Sequence, residues 1–115
     1  MAKEDVSEAV QSALASLEHA FDAALAVINA EPEPSQAYAG ATELVETLRR
    51  LVEASGDQRA LSAARIFDHE QMSLAGLADR IGVSKARAAQ LIKTAKDAGT
   101  QRRDVRDEQA DRGNR

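Results

Sequence analysis

The segment LADRIGVSKARAAQLIK, residues 77–93, decides the fold that we expect for this chain. Apolar residues recur at helical spacing on both sides of Gly82, and Ser84 follows the break. Five cationic side chains and no carboxylate lie between Arg80 and Lys96, although the formal net charge of the chain is −4. The segment therefore predicts two short helices joined by a tight turn, the second of which has a cationic face.

The composition favours an all-α fold in a reducing compartment. Alanine, which has the highest helix propensity, occupies 24 of 115 positions, and no cysteine is available for disulfides, thiolate metal ligands or nucleophiles. The longest purely apolar run, residues 23–28, is far shorter than the roughly 20 residues that a membrane span needs. The first residues also lack the apolar segment of a secretory signal. We therefore expect a cytoplasmic location and no membrane contact.

An apolar stripe marks the first predicted helix, residues 3–30. Its members recur at alternating spacings of four and three, like a coiled-coil seam of about three heptads. They are Val10, Leu14, Leu17, Phe21, Ala24 and Ile28. The prolines of EPEPS, residues 31–35, end this helix because proline cannot donate a helical hydrogen bond.

A second helix is expected over residues 35–54, with Gly56 as its stop, so that residues 1–56 form a helical hairpin. The stripe would either fill the core of this hairpin or pair two copies of the chain. We predict the homodimer, which the following residues would hold: Val10, Leu14, Leu17, Phe21 and Ile28. The hairpin carries ten acidic residues against three basic ones, so it is also a candidate surface for a second protein partner.

Three further helices are expected over residues 57–98, each opened by a residue type that caps helix N-termini. The three caps are Asp57, Ser73 and Ser84. The helices would end near residue 71, at residue 81 and near residue 98, where Gly99 follows. Residues 99–115 are charged and almost without apolar side chains, which predicts a disordered tail. A solvated end is favoured there over an arm that grips DNA.

Residues 74–93 resemble the helix-turn-helix of bacterial DNA-binding proteins, and most closely the fourth region of sigma factors and the short regulators that share that variant. Ala78 is the small residue where the two helices would cross, and Gly82 permits the turn. The apolar positions between the helices are Leu77, Ile81, Val83, Ala88 and Leu91. The resemblance implies a tri-helical helix-turn-helix domain over residues 57–98, whereas residues 1–56 carry no resemblance that we can name.

The resemblance also implies which residues contact DNA. Base readers would lie at the start of the last helix and one turn further on: Lys85, Ala86, Ala89 and Gln90. Phosphate contacts are assigned to Ser84, Arg87, Lys93 and Lys96. Alanine stands at two positions where stronger members of the family have polar readers, so the expected specificity of one module is modest.

The residues themselves give a physical reason for a cationic face on the last helix. In the major groove a carboxylate would be repelled by two rows of phosphates, whereas each lysine displaces a condensed counterion. The same pattern fits a purely structural three-helix bundle whose lysines are solvated. The removal of every carboxylate favours DNA binding.

No catalytic or metal-binding pattern is present in the sequence. His19 and His69 lie beside carboxylates but lack the spacing of a metal site, and neither a GxSxG nor a GxxxxGK[ST] motif occurs. We therefore expect no enzymatic activity, no metal and no cofactor.

These observations predict a small homodimeric transcriptional regulator that binds double-stranded DNA in a sequence-specific manner. One alternative is a helical adaptor or antitoxin-like module that acts through its acidic hairpin. Another is a DNA-segregation or plasmid-maintenance protein that uses the same motif. A steep loss of affinity with salt would distinguish DNA binding from the adaptor.

Overall fold

The structure is a computed structural model that describes the backbone of residues 6–113 and the side chains of residues 6–100. The described part confirms the all-α prediction, since it contains four helices and no strand. The helices are α1 (Glu8–Ala30), α2 (Pro34–Glu70), α3 (Leu74–Ile81) and α4 (Lys85–Gly113). The chain divides into two compact units, Met1–Leu51 and Val52–Arg115, which are described separately.

In the first unit, α1 and α2 are separated at the predicted proline-containing segment. Ser7 caps α1 by accepting a hydrogen bond from the Val10 amide, and the Glu31 amide closes the helix by donating to the Ile28 carbonyl. Helix α2 then begins at Pro34, where a missing amide proton costs nothing. The predicted break at residues 31–35 is confirmed, although it is only three residues long. The predicted start near Lys3 is wrong, because α1 begins at Glu8, after the extended N-cap residue Ser7; Lys3 itself lies outside the described residues.

Burial in the first unit is shallow. No residue of α1 is buried. The half-buried residues of α1 and of this part of α2 are Ala24, Ile28, Ala37, Gly40, Ala41, Leu44 and Thr47. A Cβ atom added to Gly40 would lie 3.4 Å from Cγ1 of Ile28, so the Ile28 side chain lies against Gly40.

Helix α2 is continuous through Gly56 and Asp57, so the predicted stop and the predicted new N-cap at these positions are wrong. A glycine inside a helix costs about 1 kcal/mol relative to alanine. The flanking turns can offset this cost, because adding residues to an existing helix does not require a new nucleation step. The helix ends at Glu70, followed by Gln71 in the left-handed region with a φ of 48°. The predicted end near Gln71 is therefore confirmed.

The core of the second unit lies among the last turns of α2, helix α3 and the first turns of α4. Two clusters of buried residues form it: Ala60, Ala63, Leu91 and Ala95 in one, and Leu77, Ala78 and Ala88 in the other. Leu77 is the only large side chain that is fully buried among the described residues. Because most of these residues are alanine, the helices can approach closely, as the composition suggested.

Helix α4 begins at Lys85 as predicted, but Gly99 does not end it. The helix continues to Gly113, so the predicted end near residue 98 is wrong. No proline follows Gly99, and adding residues to an existing helix avoids the unfavourable nucleation step. The backbone of residues 99–113, which the sequence predicted to be part of a disordered tail, is helical. The side chains of residues 101–113, and residues 114–115 altogether, lie outside the described part of the chain.

Candidate nucleic-acid interface

The turn between α3 and α4 fixes where α4 begins. Gly82 adopts a left-handed conformation with a φ of 75°, and the amides of Gly82 and Val83 both donate to the Ala78 carbonyl at 2.9 Å. Few residues other than glycine adopt this conformation at low cost. Ser84 then caps the start of α4, because its Oγ accepts a hydrogen bond from the Arg87 amide at 3.0 Å.

Helix α4 presents two different faces along its first three turns. Ala88, Leu91 and Ala95 are buried against the rest of the second unit. The four residues expected to read bases are all exposed: Lys85, Ala86, Ala89 and Gln90. Among those assigned to phosphates, Arg87 is half-buried and the others are exposed: Ser84, Lys93 and Lys96. All eight residues therefore lie on or beside the solvent-facing side of one helix.

The cations of this face are not neutralised by nearby carboxylates. Among residues 6–100, no ion pair involves Lys85, Lys93 or Lys96. Arg80, which lies just before the turn, differs, because its Nε is 3.4 Å from Oε2 of Glu70. Lys85, Lys93 and Lys96 therefore give the exposed face of α4 a positive charge that no ion pair neutralises among residues 6–100.

One contact at this face was missed by the sequence analysis. Nη1 of Arg87 donates to Oε1 of Gln90 at 3.0 Å, so the carbonyl oxygen of the glutamine is already engaged. The two residues are three apart on a helix, which is the spacing that brings side chains together, and this spacing could have predicted the pair. The amide NH₂ group of Gln90 keeps its donors.

The residues expected to pair two copies lie mostly at the surface of the first unit. The Leu14 residue is 50% exposed, and the other stripe residues in the N-terminal part of α1 are also exposed: Val10, Leu17 and Phe21. Ile28 is only half-buried and packs toward Gly40 of its own chain. The stripe therefore makes an intramolecular contact at Ile28, near the break between α1 and α2, and its other large apolar residues are exposed to solvent.

The part of the chain that the structure describes contains neither a metal-binding cluster nor a membrane-spanning helix. No group of three or more histidine, cysteine, aspartate or glutamate side chains is arranged to hold a metal ion. None of the described helices combines the length and hydrophobicity that a membrane crossing requires. Comparison with protein-family models, curated proteins and solved structures finds no match.

Proposed function

We propose that this protein binds double-stranded DNA through the exposed face of α4. One observation carries the proposal: the exposed lysines 85, 93 and 96 follow one another along α4 without an ion-pair partner among residues 6–100. No carboxylate lies between Arg80 and Lys96 to repel phosphates. A helix of this kind fits the major groove, where it lies between two phosphate rows.

Within this proposal the exposed residues have different tasks. Lys85 donates to guanine O6 or N7, while Ala86 and Ala89 let the helix approach the groove closely and touch thymine methyl groups. Gln90 acts as a donor toward an acceptor on a base edge, because Arg87 occupies its oxygen. Lys93 and Lys96 bind phosphates together with Ser84 and Arg87, and they hold the register without reading sequence.

The proposal includes a homodimer formed through α1. One module with two small readers has modest affinity, and two modules on a two-fold axis would bind half-sites about 34 Å apart. The exposed part of the stripe supplies the apolar surface for pairing: Val10, Leu14, Leu17 and Phe21. The simplest role for such a dimer is transcriptional regulation.

Fluorescence anisotropy with mixed genomic fragments at about 50 and 200 mM salt tests the DNA proposal. Each cation that contacts a phosphate releases a counterion, so three cationic contacts per chain, from Arg87, Lys93 and Lys96, give a slope of log K against log salt of about −3. The double variant Lys93→Ala/Lys96→Ala should reduce this slope by roughly two thirds. Arg49→Ala, which removes an exposed cation of the first unit, is the matched control. No binding at the lower salt concentration would contradict the proposal.

A protein-interaction adaptor is the second candidate function. It is favoured by the first unit, whose exposed large apolar residues lie among nine acidic residues in a segment of 51. The same titration separates the candidates, because an adaptor should show no steep salt dependence with DNA. Selection of the DNA duplexes that the protein binds from a random pool then shows whether its binding site is symmetric. Recovery of single half-sites, without a second copy in inverted orientation, would argue against a DNA-binding dimer.

A further inference from the structure

A groove with cationic edges runs along α2 on the second unit. Its wider part has a volume of about 730 Å³ and is lined by Ser62, Arg65, Ile66, His69, Glu70 and Arg80. An adjoining hollow of about 290 Å³ shares Ser62 and Ile66 with it, so the two lie side by side along α2, and we call them together the groove. From Arg59 to Glu70 the groove follows α2 for about 17 Å, or roughly three helical turns.

The floor of the groove is apolar and its edges are basic. Ile66, Ile81 and Val83 are half-buried and Leu91 is buried, so an apolar surface lies at the bottom. Arg59 and Arg65 are exposed at the edge, and neither has an ion-pair partner among the described residues. Glu70 is the sole carboxylate among the lining residues, and Arg80 already contacts it at 3.4 Å.

The groove lies beside the lysine face of α4. At 100° per residue, Lys85, Ala89 and Lys93 fall within about 80° of one another around α4, while Leu91 lies about 120° from Lys85 on the other side. Leu91 lines the groove, and the lysines do not. Arg87, which we assign to a phosphate, also lines the groove, so the two surfaces meet at this one side chain.

From this arrangement we infer that the groove binds an acidic amphipathic peptide segment of a partner protein. The groove is open along its length, so it cannot enclose most of a small ligand as small-molecule pockets do. Large apolar side chains of the segment pack on Ile66 and Ile81, and its carboxylates meet Arg59 and Arg65. Opposite charges at the rim orient the segment and accelerate its association.

The test starts by selecting binders to the full-length protein from a displayed pool of random peptides about 12 residues long, which spans the groove as a helix. Selection at roughly 0.1 M salt keeps rim electrostatics effective, since the Debye length is then about 10 Å. We expect recovered peptides to combine two or more carboxylates with large apolar residues at helical spacing. Recovery of peptides without this pattern would overturn the inference.

Charge-reversal variants then locate the binding of a recovered peptide, measured by fluorescence anisotropy. Arg59→Glu/Arg65→Glu should weaken binding about tenfold or more, and the milder Arg59→Gln/Arg65→Gln less. Arg49→Glu/Arg50→Glu makes the same change of charge elsewhere on α2 and should have little effect. An equal loss in this control would show that the attraction is not local, and would overturn the proposed site.

Two further measurements distinguish other occupants of the groove. If Arg59→Glu/Arg65→Glu reduces DNA binding but leaves peptide binding intact, the groove is a nucleic-acid surface and the inference is wrong. If a peptide of residues 7–30 of this chain competes with the selected peptide, the occupant is a second copy, which also overturns it. Neither peptide measurement requires the protein to bind DNA, so the inference and the proposed function fail independently.

Discussion

Gly82 is the residue whose replacement has the clearest backbone consequence. Its φ of 75° is unfavourable for other residues, whereas a Cβ added there would meet nothing within 4 Å. We therefore expect Gly82→Ala to lower the free energy of unfolding by about 1 kcal/mol through backbone strain alone. Thermal and urea denaturation followed by circular dichroism would measure this.

Gly99→Ala is the matched control, because Gly99 lies inside α4 and a Cβ there also meets nothing within 4 Å. Alanine should stabilise that position by up to about 1 kcal/mol. Equal effects of the two substitutions would contradict the conformational role of Gly82.

Gln90 is expected to contribute to specificity, and Lys93 to affinity for any sequence. Gln90→Ala should weaken binding to a selected site by roughly 1 to 3 kcal/mol with little effect on random duplex. Lys93→Ala should weaken binding to the selected site and to random duplex by the same factor, and should reduce the slope of log K against log salt by about one unit. Parallel titrations with selected and random duplexes compare them, and equal losses for Gln90→Ala would remove its assignment as a reader.

At the scale of the element, the start of α2 contains a titratable contact. Ser35 donates to a carboxylate oxygen of Glu33 through its amide (3.2 Å) and its hydroxyl (2.9 Å). These bonds favour the charged form and lower the pKa of Glu33 from 4.5, the amide having the larger effect. The associated stabilisation is therefore complete above pH 4.5 and is lost as the pH falls through the pKa in the folded state.

Ser35→Ala removes the hydroxyl donor and leaves the amide donor, so we expect the pKa of Glu33 to return part of the way toward 4.5. NMR titration of the Glu33 carboxyl carbon in both proteins would measure the change. An identical pKa in the two proteins would show that the hydroxyl does not contribute.

At the scale of the whole molecule, the exposed stripe of α1 makes the oligomeric state testable. Each buried leucine contributes about 1.5–3 kcal/mol, so Leu14→Glu/Leu17→Glu should raise the dissociation constant of the proposed homodimer by about 100-fold or more. Sedimentation velocity over a range of concentrations measures this. Val27→Glu is the control, because Val27 is 73% exposed and lies about 100° from the stripe.

A parent protein that remains monomeric at every concentration would contradict the homodimer. DNA binding by such a monomer would leave the assignment of α4 intact, because the lysine face lies within one chain. The two parts of the proposed function are thus tested by separate measurements.

The sequence alone determined the features that depend on local chemistry. The prolines at residues 32 and 34 end α1, Ser73 and Ser84 cap the starts of α3 and α4, and Gly82 forms the turn between them. These features could be predicted because helix caps and backbone restrictions act over only a few residues. The exposure of Lys85 and Gln90 also agrees with the helical spacing of the buried residues around them.

Only the tertiary structure decided that α2 continues through Gly56 and α4 through Gly99, and which side chains contact one another at the surface. Gly56 and Gly99 are weak stops, because the cost of one helical glycine is small beside the helix that continues around it. The pairing of Arg87 with Gln90 and the groove beside Arg59 and Arg65 depend on rotamers and on packing between distant residues. Sequence periodicity gives the face of a side chain, whereas its partners are fixed only when the helices pack.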